Sequence, residues 1–193
     1  AGSPLRDLAG RSYLGNLIAF GFAFAVMMAY ISASPFVYQT MMGLSSAEYG
    51  MMFGVNAFGL LLMSALSARW TVRAEPRALA RAGLVVIVVS SVVVWALAIS
   101  PAPAGWLALP LFTAVAAMGL IFGNTTALAL SAAPRAAGTA SAALGATQFL
   151  LAALVSPLVS IGGEHTAQPL AVVMVVASLL ACAGFALARP ASE

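Results

Sequence analysis

The chain has 193 residues, of which 63% are hydrophobic and only 7% are charged, and its mean hydropathy is +1.05. Soluble globular proteins carry about 25% charged residues, so this composition excludes a soluble domain. All eight basic residues are arginines, and with five acidic residues the net charge is +3. A single cysteine, Cys182, excludes a disulfide framework.

Six apolar stretches follow one another along the chain, and each has about the 20 residues that a helix needs to cross a bilayer. Strands of transmembrane barrels are about 10 residues long and alternate in polarity, so these unbroken stretches exclude a barrel. The sequence therefore predicts an all-α membrane protein, a bundle of six transmembrane helices. The predicted spans are 12–32, 47–67, 79–99, 107–130, 139–161 and 167–188.

The arginines give the predicted orientation, because positively charged loops stay in the cytoplasm. The connections 33–46, 100–106 and 162–166 contain no lysine or arginine. Both ends are therefore predicted to be cytoplasmic, in the inner (plasma) membrane of a bacterium, and the basic pI reports topology and not a nucleic-acid partner. The arginines that alternate with these connections are Arg6, Arg11, Arg69, Arg73, Arg77, Arg81, Arg135 and Arg189.

This topology divides the chain into a cytoplasmic linker, 1–11, the six-helix bundle, 12–188, and a cytoplasmic tail, 189–193. The linker begins at Ala1 and not at a methionine, and it contains Gly2, Ser3, Pro4 and Asp7 ahead of the first helix. Such a polar opening is typical of a connection between domains. We therefore expect the chain to be part of a longer protein.

Small residues recur at helical spacing in three spans. Gly50 and Gly54 open the second span, Gly119 and Gly123 lie in the fourth, and the fifth carries a face of small residues. In lipid, such faces allow helix backbones to approach closely and gain dispersion contacts, so they predict a compact bundle. The face on the fifth span consists of Gly138, Ser141, Ala142 and Gly145.

No Asp, Glu, Lys, Arg or His lies at the centre of any span, and four spans each carry one amide instead. Asn16, Asn56, Asn124 and Gln148 lie one to a helix in the first, second, fourth and fifth spans. An amide in hydrocarbon needs a hydrogen-bond partner, so all four are expected to face the bundle interior or a water-filled cavity. Two interpretations remain open: the amides cross-link helices, or some of them line a polar path for a solute.

The residues for catalysis are missing. His165, the only histidine, lies in an outer connection beside Glu164 and next to no buried serine. Metal hydrolysis needs clustered histidines or acids, and a nucleotide-driven pump needs a phosphate-binding loop; neither is present. The sequence predicts neither an enzyme nor a bound cofactor.

Several segments resemble one family. Residues 30–39, YISASPFVYQ, followed by Gly43–Ser45 and Tyr49–Gly50, resemble the end of the seventh helix and the next loop of the Bcr/CflA drug-resistance transporters. Residues 119–130 resemble their tenth helix, and 137–149 with Ser156–Pro157 resemble their eleventh. This family belongs to the major facilitator superfamily.

The resemblance implies the C-terminal half of a twelve-helix, proton-coupled multidrug antiporter in which two halves rock around a central cavity. Its partners would be a drug-like substrate, protons, lipid and a missing N-terminal half. The embedded acid that proton coupling needs would come from that half. The superfamily's loop motif lacks its Asp between Gly59 and Arg73, which favours arginines that only set topology. The implied cavity candidates are Asn16, Phe20, Tyr30, Asn56, Asn124 and Gln148.

Two alternatives remain. The chain could be a self-standing six-helix protein in which a second copy supplies the other half of a homodimeric transporter. It could also be a membrane scaffold that transports nothing, in which the amides only pack helices. Substrate-specific effects of changes at Asn56 and Gln148 would favour a transporter.

Overall fold

The computed structural model describes residues 4–188, so Arg189, the predicted tail 189–193 and residues 1–3 of the predicted linker lie outside it. Six helices of the described chain are long and apolar enough to cross a membrane, which confirms the all-α fold. The helices are α1 (Pro4–Leu8), α2 (Arg11–Pro35, continued by a π-helical segment, Phe36–Met41), α3 (Ser46–Trp70), α4 (Pro76–Ala98), α5 (Ala108–Ala132), α6 (Ala137–Leu158) and α7 (Gln168–Leu187).

The first span is longer than predicted because α2 does not stop at its proline. Pro35 has no N–H, so it cannot donate to the carbonyl of Ile31 one turn earlier. The hydroxyl of Ser34 donates to that carbonyl instead, at 3.0 Å. The chain then continues in the wider π-helical segment through Met41. It turns at Gly43, whose φ of +74° is a backbone conformation that favours glycine. The span therefore runs from Arg11 to Met41.

The start of α3 is fixed by a capping box. The N–H of Glu48 donates to the Ser45 hydroxyl at 3.3 Å, and the Ser45 N–H donates to the Glu48 carboxylate at 2.8 Å. Two backbone donors at the helix start are thereby satisfied, and the carboxylate lies at the positive end of the helix dipole. Glu48 thus acts as a helix-terminal acid.

Within the bundle, α2 packs against α5, α6 and α7, α4 packs against α5 and α7, and α3 packs mainly against α5. Glycines allow the closest of these approaches. A Cβ atom at Gly119 would lie 2.5 Å from the backbone nitrogen of Ser64, and one at Gly15 would lie 2.5 Å from that of Ala188. The close packing predicted for Gly119 is confirmed, and its partner is the backbone of α3.

The other small-residue faces do not pack within this chain. A Cβ atom at Gly50, Gly54, Gly138 or Gly145 would meet no atom of residues 4–188 within 4 Å. In agreement, only 17% and 11% of the most apolar stretches of α3 and α6 are buried, against 39% to 56% in the other four spans. The prediction that these faces build a compact six-helix bundle is therefore wrong: they point away from it.

The predicted linker is partly helical and is held to the bundle by an ion pair. Asp7 of α1 accepts two hydrogen bonds from Arg135, at 2.6 Å and 3.0 Å, where the chain passes from α5 to α6. The hydrogen bond from Arg135 is the main reason that the pKa of Asp7 lies below its ordinary value. This bidentate contact joins the beginning of the chain to the start of α6.

Candidate substrate cavity

Asn56 is the centre of a buried polar cluster that joins α2 to α3. Its amide nitrogen donates to the hydroxyl of Tyr30 at 2.6 Å and to that of Tyr38 at 3.0 Å. The three side chains are 1%, 3% and 0% exposed, respectively. Tyr30 lies in α2, Tyr38 in the π-helical segment and Asn56 in α3, so one amide ties three segments together.

A second pair of hydroxyls extends this cluster toward the beginning of α3. The hydroxyls of Ser34 and Tyr49 lie 3.0 Å apart, and the rings of Tyr38 and Tyr49 are 6.1 Å apart between centroids. Ser34 also donates to the Ile31 carbonyl, which Pro35 leaves without a backbone donor. The same serine therefore stabilises the end of α2 and joins it to Tyr49 of α3.

Asn124 makes the corresponding connection between α3 and α5. Its amide nitrogen donates to the hydroxyl of Ser67 at 2.8 Å and to the carbonyl of Leu120 at 2.7 Å. Asn124 and Ser67 are both buried. This contact lies on the same pair of helices as the close approach at Gly119.

Asn16 and Phe20 lie on α2. The amide nitrogen of Asn16 donates to the carbonyl of Ser12 at 2.8 Å, and the Phe20 ring meets Phe122 of α5 edge to face, with centroids 5.6 Å apart. The amide oxygens of Asn16 and Asn56 are buried and have no hydrogen-bond partner among residues 4–188. Such buried acceptors are uncommon in folded proteins.

Gln148 differs from the three asparagines. It is half-buried on α6, and no residue of the described chain forms a hydrogen bond with its side chain. Its neighbour Thr147 lies against α2, where a Cβ atom at Gly21 would be 2.8 Å from the Thr147 methyl group. Gln148 is therefore placed beside the α2–α6 contact, at the edge of the exposed side of α6.

The structure brings Tyr30 and Asn56 into direct contact. Asn16, Phe20 and Asn124 each contact other residues. Gln148 has no hydrogen-bond partner in the described chain. Sequence reasoning missed the hydrogen-bond partners Tyr38 and Ser67. Tyr38 follows Tyr30 by eight residues, a spacing that returns to nearly the same helix face, so its signal was present. Ser67 carried no such signal, since its role depends on how α3 and α5 are rotated.

A separate groove of about 790 Å³ opens between α2, α6 and α7 and contains none of the six candidates. Its lining is almost wholly apolar and includes Phe22, Leu154, Val172 and Val176. Apolar surface on a membrane-spanning helix is compatible with lipid. The groove therefore differs in chemistry from the polar contacts around Asn56 and Asn124.

Six helices that could cross a membrane, with buried amide contacts between them, define a multi-pass membrane protein, and comparison with known proteins gives its family. No family model matches the chain. It is 30% identical to the uncharacterized MFS-type transporter YdgK of Bacillus subtilis over 184 residues, which is 95% of this chain and 45% of YdgK.

Two further relatives carry names that refer to drugs. A bicyclomycin resistance protein homolog of Haemophilus influenzae is 27% identical over 89% of this chain and 44% of its own length. The multidrug transporter MdfA of Escherichia coli O157:H7 is 31% identical over 72% of this chain and 34% of its own length. The chain therefore belongs to the major facilitator superfamily, and its relatives are transporters and not enzymes. It spans less than half the length of these relatives and corresponds to their C-terminal halves.

Proposed function

We propose that the chain is the C-terminal half of a proton-coupled multidrug efflux transporter of the bacterial inner membrane and forms one side of its central substrate cavity. Both ends of the chain would then lie in the cytoplasm, as its arginines predict. The names of the bicyclomycin resistance homolog and MdfA support a drug-like substrate. The substrate, the protons and the second half are all parts of this proposal.

The observation that carries the proposal is the exposure of α3 and α6. Both helices present glycines with open space at the Cβ position: Gly50 and Gly54 on α3, Gly138 and Gly145 on α6. Small faces gain little from lipid but allow another helix to approach closely. In a transporter of two six-helix halves, the second half is the partner that would cover them.

The buried amides support a substrate path beside α2. The unpartnered oxygens of Asn16 and Asn56 are acceptors available to a donor on a bound solute or water. Aromatic contacts lie on the same helices: Tyr30 lies over Phe53 at 6.1 Å, and Phe20 and Phe24 both contact Phe122. We therefore propose Asn16, Phe20, Tyr30, Asn56, Asn124 and Gln148 as cavity residues that become accessible as the two halves rock.

Proton coupling would need an acid from the other half. All five acids of this chain lie outside the middle of its spans: Asp7, Glu48, Glu75, Glu164 and Glu193. Of these, Glu48 is occupied in the capping box and Asp7 is paired with Arg135. A protonatable group at mid-depth would therefore be contributed by the N-terminal half.

Leucine at Gly145 should block transport without unfolding this half. A Cβ atom at Gly145 would meet no atom of residues 4–188 within 4 Å, and a leucine there would fill the space that a second half needs for close contact. We expect the rate of drug efflux to fall about tenfold or more, as overpacking of about 1–3 kcal/mol at a closing interface would produce. Efflux of a fluorescent cationic drug from cells lacking other exporters measures this, with protein amount in the membrane followed in parallel.

Gly105→Leu is the matched control, because Gly105 is equally open but lies in the short turn before α5. Efflux should be unchanged in this variant. Normal efflux in Gly145→Leu cells containing normal amounts of protein would contradict the proposed interface. An efflux that persists when a protonophore dissipates the proton gradient would contradict proton coupling.

A further inference from the structure

The connection between α3 and α4 concentrates positive charge at the end of the bundle. α3 ends at Trp70 and α4 begins at Pro76, and Arg69 and Arg73 are exposed within or beside this connection. Arg81 is exposed one to two turns into α4. No carboxylate among residues 4–188 forms an ion pair with any of the three, and Glu75 is the only acid in the connection.

Arg77 differs from these three arginines because it has a partner within the bundle. Its guanidinium lies 4.7 Å from the centre of the Phe185 ring and donates to the Phe185 carbonyl at 3.4 Å. This contact attaches the start of α4 to the end of α7. Arg69, Arg73 and Arg81 have no comparable contact within the described chain and remain directed to the surroundings.

Apolar side chains lie among these arginines. Trp70, the last residue of α3, is 44% exposed, and Val72, in the connection that follows, is 84% exposed. Tryptophan at a helix end is typical of headgroup depth, where its ring contacts lipid and its N–H contacts polar groups. The exposed Trp70 therefore predicts that this connection lies at headgroup depth.

We propose that Arg69, Arg73 and Arg81 form a binding surface for the phosphate headgroups of anionic phospholipids. Arginine forks match phosphate oxygens in pairs, and the positive end of the α4 dipole adds to their attraction. Positive charge alone is enough to set the orientation of a helix in the membrane. This surface also has exposed Trp70 and Val72 beside its three arginines in the sequence, which a lipid-binding surface needs and an orientation signal does not. The inference is independent of what the transporter carries.

Lipid retention by the whole encoded protein in detergent micelles tests this proposal. Native mass spectrometry should show phosphatidylglycerol retained about a hundredfold more than phosphatidylcholine, as three basic residues at about 1 kcal/mol each near an anionic surface imply. The double variant R69Q/R73Q should lose most of this preference, and adding R81Q should lose the rest. Inorganic phosphate at millimolar concentration should not displace the lipid, because the apolar contacts of Trp70 and Val72 need an acyl chain.

R6Q/R11Q is the matched control, since it removes two exposed arginines from the same predicted membrane face. This control should retain the preference for phosphatidylglycerol. Equal losses in R69Q/R73Q and R6Q/R11Q would overturn the proposal, because overall charge would then be the cause. Unchanged retention in R69Q/R73Q/R81Q would also overturn it, as would displacement of the lipid by inorganic phosphate. Circular dichroism establishes that each variant is folded.

Discussion

The substitution Gly119→Ala should destabilise the bundle more than a methyl group added at any other position of α5. The added Cβ atom would lie 2.5 Å from the backbone nitrogen of Ser64 and 2.7 Å from the carbonyl oxygen of Leu60. Both are backbone atoms of α3, so no side chain can rotate away and the two helices must separate. Overpacking of this kind costs about 1–3 kcal/mol or more. Unfolding in sodium dodecyl sulfate, followed by circular dichroism, measures it.

Gly123→Ala gives the comparison, since Gly123 is the other glycine of the same motif and has no atom within 4 Å of its Cβ position. We expect this variant to be as stable as the parent or slightly more stable, because alanine is the better helix former. Equal destabilisation of the two variants would show that α3 and α5 do not meet at Gly119.

Leucine at Asn56 should have the second large effect, because it leaves the hydroxyls of Tyr30 and Tyr38 buried without the amide that joins them. Each unsatisfied buried group costs about 1–3 kcal/mol, and lipid offers no replacement partner. Interhelical hydrogen bonds in membranes average less, about 0.6 kcal/mol, and the two hydroxyls also hydrogen-bond to each other, so we expect a total loss near the lower end of this range. The same detergent unfolding experiment measures this loss.

The triple variant N56L/Y30F/Y38F separates packing from substrate contact. Replacing all partners with apolar groups of similar shape removes the unsatisfied hydroxyls, so stability should return close to that of the parent. If Asn56 and Tyr30 contact substrate, as proposed, the restored protein should still export a different set of drugs. A triple variant with parental stability and a parental drug profile would show that the cluster only cross-links α2 and α3.

The sequence predicted the number and kind of helices because hydrophobic length is a local property. The predicted first span, 12–32, was too short, since it took no account of the Ser34 hydroxyl completing the backbone before Pro35 or of the π-helical segment beyond it. The fifth span was placed two to three residues late, at 139–161, whereas α6 runs from Ala137 to Leu158, where Pro157 lies in its last turn.

Contacts between helices were harder to predict. In lipid the outer face of a helix is as apolar as its buried face, so hydropathy does not show how the helix is rotated. Gly119 and Gly123 share one motif, yet only Gly119 meets another helix within this chain. Asp7 and Arg135 are 128 residues apart, and nothing local links them. The amides were recognised as polar groups that need partners, but the partner Ser67 came only from the fold.

The central claim is that this six-helix unit works as one half of a two-half transporter. The most direct test is the mass of the encoded protein, obtained by blotting membranes of the source cells with an antibody against residues 100–106. The account predicts a band at about twice the 19.5 kDa of this chain, as two six-helix halves require. A band at 19.5 kDa itself would contradict it, and a second copy of this chain would then be the partner to seek for α3 and α6.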